Sequence, residues 1–117
     1  MLAAHETLAL VVIVAAAVSA VWGFVAYRRE RGSGLLGHLL ALVQTLLVAQ
    51  VGVGLLLLSD GRRAPDDLHY AYGTLALAAV LAPWLYAPRE PRRRLLWFAV
   101  ATLLAGALAT RAYLTAR

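Results

Sequence analysis

The stretch Ala49–Val80, AQVGVGLLLLSDGRRAPDDLHYAYGTLALAAV, decides how the chain is read. It is the end of one apolar run, a short charged turn and the start of another. Gly61 and Pro65 mark the turn, and Asp60, Arg62, Arg63, Asp66 and Asp67 make it exposed. Outward from this hairpin the pattern repeats. Apolar runs cover about 8–27, 35–58, 68–86 and 95–113, separated by the basic turns 28–34 and 88–94. Twenty residues at about 1.5 Å each span roughly 30 Å, the thickness of the hydrocarbon core of a bilayer. The expectation is an all-α, integral membrane bundle of four helices over residues 1–117, a single domain. Loops this short send neighbouring helices in opposite directions, so the predicted course is up-down-up-down. Pro83 predicts a kink or an early end in the third helix.

Composition supports the same class. The chain has 117 residues, 62% apolar, with a mean hydropathy of +0.75, too little polar surface for a soluble domain. A net charge of +5 does not indicate nucleic acid, because the arginines fall in short clusters between apolar runs rather than on one face. The absence of cysteine removes disulfides, thiolate chemistry and Cys-ligated metal centres. The first run is read as a retained helix rather than a cleaved leader, since its arginines follow it instead of preceding it.

Orientation follows the arginines. Seven lie with the turns 28–34 and 88–94, and four lie with the Ser59–Asp67 turn and the carboxyl terminus. The positive-inside rule then places both termini outside an inner (cell) membrane and the two basic turns in the cytoplasm. Trp84, Tyr86 and Trp97 sit at the cytoplasmic boundary, and Tyr70, Tyr72 and Tyr113 at the outer one, as interfacial aromatics should.

No span carries an Asp, Glu, Lys or Arg at its centre, which argues against a stand-alone transporter. Nor is there a nucleophile–His–acid set, an HExxH or a glycine-rich phosphate loop, so catalysis by side chains alone is not expected. The chemistry rests on histidine. His5 opens the first helix and His69 the third, both at the outer face, whereas His38 opens the second helix some 30 Å away. Two neutral imidazoles at one depth, on facing helices, suit the axial positions of a haem iron. Gln50 and Gly54 share a face of the second helix at that depth, and Gly73, Ala76 and Val80 form a small-residue face below His69. Arg62, Arg63, Arg111 and Tyr113 stand on the outer side, where propionates need cations or donors. Each feature also has a purely structural reading: interfacial His, interhelical Gln, packing Gly and a snorkelling Arg.

Three segments, HETLALVVIVAAAVSAVWGFVAYRRERGSG, LVQTLLVAQVGVGLLLL and LHYAYGTLALAAV, together resemble one half of the haem A synthase family. The resemblance covers about Ala4 to Val80. It implies a four-helix bundle in which His5 and His69 are the axial ligands and Gln50 matches the family's Gln before a Gly. One such half implies a haem b-bearing bundle that exchanges electrons with a quinone or a redox protein partner, or a homodimer that rebuilds two halves. The alternative is a non-catalytic accessory subunit or assembly factor of a larger membrane complex, without a cofactor, packing through its Gly and Ala faces.

Overall fold

The computed structural model describes residues 2–29, 34–61, 64 and 67–115. They form four helices, α1 (Leu2–Arg29), α2 (Gly34–Ser59), α3 (Leu68–Tyr86) and α4 (Pro91–Thr115), with no strand among the described residues. All four are long and apolar enough to cross a membrane. The longest dimension is 47 Å, which exceeds the hydrocarbon core by about a headgroup layer on each side.

Helices α1 and α4 extend beyond the apolar runs, and at the start of α4 a cap accounts for it. Pro91 and the three arginines after it belong to α4, not to the turn before it. Pro91 fits the first helical position, where no N–H is needed. Glu90 precedes it and caps the helix, its carboxylate accepting from the N–H groups of Arg92 (3.1 Å) and Arg93 (3.0 Å). At the other end of α2, Gly61 takes the left-handed conformation (φ 81°) that turns the chain out of the helix. Pro83 lies inside the last turns of α3 rather than at its end. The helix carries on to Tyr86, with Pro83 buried and its carbonyl accepting from Ala87 N–H at 2.9 Å.

The exterior is apolar and the interior small. Large side chains such as Val14, Val21, Leu35, Leu55, Leu85 and Leu104 point outward. The buried residues of α1 are Val12, Ala16, Ser19, Ala20, Gly23 and Ala26, and those of α4 are Phe98, Ala99, Thr102, Ala105 and Ala112. Lipid tails are as apolar as leucine, so burial alone does not draw helices together in a bilayer. Close backbone approach and interhelical hydrogen bonds do so instead. That approach is tightest between α1 and α4. A Cβ built on Gly23 would lie 2.8 Å from the Ala99 Cβ, and one on Gly106 would lie 3.0 Å from the Ala16 Cβ.

Helix α4 packs extensively on both α1 and α3, while α2 leans mainly on α1 and touches α3 and α4 much less. Two polar contacts hold α2 to its neighbours. Trp84 Nε1–H on α3 donates to the buried Gln44 Oε1 at 2.8 Å, and Gln50 Nε2–H donates to the His5 carbonyl at 2.9 Å. Val12, Leu47, Ala76, Val80 and Ala105 meet in a core to which every helix contributes. A second core, Ala26, Leu36, Leu40 and Phe98, closes the end where the arginines of α1 and α4 lie. Between the first core and the other end of the bundle, the slack seam beside α2 opens into a cavity.

Candidate functional site

The cavity has a volume of about 590 Å³, within the range of about 300–1,000 Å³ typical of small-molecule and cofactor sites. Val12, Leu47 and Ala76 of the central core form its floor. His5, Gln50, Gly54, His69, Gly73 and Tyr70 stand among its walls. Seven residues singled out in the sequence therefore line one space: His5, Gln50, Gly54, His69, Gly73, Ala76 and Tyr113. Gly73 contributes by lacking a side chain, since a Cβ there would meet nothing within 4 Å.

His5 and His69 are 64 positions apart in the chain, yet their ring centroids lie 6.0 Å apart with planes inclined at 73°. Two nitrogen–metal bonds of about 2.0 Å, with the half-width of each ring added, also sum to about 6 Å. By centroid distance alone the pair is compatible with one metal atom between the rings, which meet edge to face. His69 is the better defined of the two. Its Nδ1 lies 2.7 Å from the Ala112 carbonyl, one of the last four carbonyls of α4 that no helical N–H can reach. A carbonyl accepts and never donates, so Nδ1 is the nitrogen that carries a proton in this bond, and in a neutral ring the lone pair falls on Nε2. A histidine ligand is commonly oriented in this way, by a hydrogen bond from its other nitrogen to a backbone carbonyl. Tyr70 packs its ring against His69 (centroids 5.7 Å) and its hydroxyl accepts from Ala64 N–H at 2.8 Å, which ties the turn to the cavity wall.

His5 is held by its backbone and by space. Gln50 fixes its carbonyl, and Gly54 leaves room for its ring, whose Cε1 is 3.2 Å from where a Gly54 Cβ would be. Its Nδ1 and the Gln50 Oε1 are both buried without a hydrogen-bond partner. Buried polar atoms left in that state cost about 1–3 kcal/mol each, so an occupant that pairs with them gains accordingly. An occupant of the cavity would meet both imidazoles and these two unpartnered polar atoms.

The cationic partners are placed differently. Arg111 is absent from the cavity wall and lies over the ring of Tyr72 at 5.6 Å. Arg62 and Arg63 fall outside the described residues. Glu6 lines the cavity, as do Thr74 and Tyr113. His38 is exposed near the start of α2, sixteen residues before Gly54, which corresponds to about 24 Å of helix and keeps it from the pair.

Sequence reasoning did not single out the Ala112 carbonyl, which has no side-chain signature. Tyr70 had been read as an interfacial aromatic, although its spacing of one from His69 placed it beside the pair. The bond between Gln44 and Trp84 has no local signal in the sequence. Comparison with known proteins returns no matching family model, curated protein or solved structure.

Proposed function

We propose that the chain is a small membrane cytochrome: a haem b-binding four-helix bundle that transfers electrons, with His5 and His69 as axial ligands. The helices run up-down-up-down, both termini lie outside the cell membrane, and the arginine-rich turns lie in the cytoplasm. The observation that carries this reading is the 6.0 Å meeting of His5 and His69 over a cavity of about 590 Å³. The resemblance of residues 4–80 to half of a haem A synthase points to the same pair of histidines.

A haem b held there supplies one reversible one-electron couple. The residues of this chain do the rest. His69, oriented through the Ala112 carbonyl, presents Nε2 to the cavity. His5 presents its ring over Gly54, with its backbone held by Gln50. The apolar floor of Val12, Leu47 and Ala76 excludes water from below. Electrons would enter and leave at the outer end of the bundle, by way of a quinone or a redox protein.

The test is the reduced-minus-oxidised absorbance spectrum of the protein purified in detergent after expression with ample haem. A low-spin b-type spectrum is expected, and its loss in both His5→Ala and His69→Ala. A colourless wild-type protein would leave the accessory-subunit reading, and a normal spectrum in His69→Ala would remove that ligand.

A further inference from the structure

The end of the bundle away from the cavity is strongly basic. Arg28 and Arg29 close α1, Arg89 stands in the following turn before α4, and Arg92, Arg93 and Arg94 fill the first turn of α4. Among the described residues, Glu90 is the one carboxylate facing them there. Local helix energetics do not favour this arrangement. The macrodipole disfavours cations in the first turn of a helix, and three consecutive guanidiniums repel one another. Glu90 offsets part of this, but its oxygens are committed to the N–H groups of Arg92 and Arg93. The helix terminus is thereby capped, and Glu90 Oε2 also lies 4.0 Å from Arg93 Nε in an exposed ion pair, which leaves the outer nitrogens of that guanidinium for a partner.

Some of the other guanidiniums are already braced. Arg92 lies 4.1 Å over the Tyr27 ring and its Nε–H donates to the Tyr27 carbonyl at 3.2 Å, joining the end of α1 to the start of α4. Arg94 lies over Trp84 and Phe98. Arg28 and Arg29 at the end of α1 and Arg93 in the first turn of α4 therefore stand at the same end of the bundle, with the side chain of Arg93 76% exposed. At the same end Trp84, Leu85, Tyr86 and Trp97 are exposed. Amphipathic rings of this kind settle at headgroup depth, with acyl chains beside them.

We propose that the Arg28–Arg29–Arg93 corner, between the end of α1 and the start of α4, binds the phosphate of an anionic phospholipid. The planar guanidinium fork matches phosphate oxygens, and a residue set that the helix itself disfavours is accounted for by an anion outside it. The exposed apolar face of α3 and α4 favours a lipid over free phosphate as the source of that anion. This inference does not depend on whether haem is bound.

The experiment is native mass spectrometry of the detergent-purified protein with equimolar phosphatidylglycerol and phosphatidylcholine. The wild-type protein should retain phosphatidylglycerol preferentially. Retention should fall about fivefold for each arginine removed in Arg28→Gln, Arg29→Gln and Arg93→Gln, and not at all in Arg111→Gln at the opposite end. Circular dichroism checks that the triple variant is helical. If it is not, Arg93→Gln alone and a salt series on the wild type carry the test, with retention expected to fall in both. Equal retention of the two lipids, or undiminished retention in the variants, would overturn the proposal. Displacement of the lipid by millimolar inorganic phosphate would overturn it too, in favour of a free-anion site.

Discussion

Replacing Gly23 by alanine should loosen the α1–α4 seam, although alanine is the better helix former. A Cβ at that position would lie 2.8 Å from the Ala99 Cβ. Carbon atoms prefer about 3.5–4.0 Å, so the added methyl is about 1 Å too close. Neither methyl can rotate out of the way, since both are fixed on the backbone, and relief requires the helices to part. A gap of about 0.5–1 Å forfeits a quarter to a half of each dispersion contact along the seam. Overpacking of this kind costs roughly 1–3 kcal/mol, against a gain in helix propensity of roughly 0.5–1 kcal/mol. A net destabilisation of about 1–2 kcal/mol is expected. The same substitution at Gly52, where a Cβ meets nothing within 4 Å, should keep the gain and lose nothing. Unfolding in mixed micelles, followed by circular dichroism or by intrinsic fluorescence, measures both. Ala99→Gly should restore most of the loss in Gly23→Ala. If Gly23→Ala proved as stable as Gly52→Ala, or if Ala99→Gly gave no rescue, the close seam would not be what holds α1 to α4.

Gly54→Ala should weaken or perturb the proposed haem site without unfolding the bundle, because the His5 Cε1 at 3.2 Å must give by a few tenths of an ångström. A shifted spectrum or faster haem loss would show it, and an unchanged spectrum would release Gly54 from the site. Gln44→Leu leaves the Trp84 indole N–H without its acceptor, so α2 should detach from α3 more readily. A loss of roughly 0.5–1.5 kcal/mol and altered tryptophan fluorescence are expected. Glu90→Ala removes the cap from α4 beside three arginines and should cost roughly 0.5–2 kcal/mol by thermal or denaturant unfolding. A stability unchanged by Glu90→Ala would mean that water or lipid caps that helix equally well.

The existence and type of all four helices were legible in the chain, since each needs only about twenty apolar residues between charged breaks. Their ends were less so. Apolarity predicts where lipid begins, whereas caps decide where a helix ends. The run starting at Leu95 became a helix starting at Pro91 for that reason, and the run starting at Leu8 became one that takes in His5. The short hairpin 49–80 and the positions of His5 and His69 at two helix starts allowed the pair to be anticipated. Arg111 was placed with them by its level alone, and it turned instead to Tyr72, because a level fixes depth and not direction around the helix.

By itself, then, the sequence determined a four-helix membrane chain, its charge distribution and the depth at which two histidines would lie. These depend on composition and on distance along the chain, which each segment carries on its own. Only the tertiary structure decided that α1 and α4 close on glycine and alanine while α2 stands off from α3, because helix rotation and interhelical distance depend on which small residues face each other. That uneven packing leaves the cavity beside Ala64, and it brings the Ala112 carbonyl at the end of α4, which also accepts from the Thr115 hydroxyl, within reach of His69.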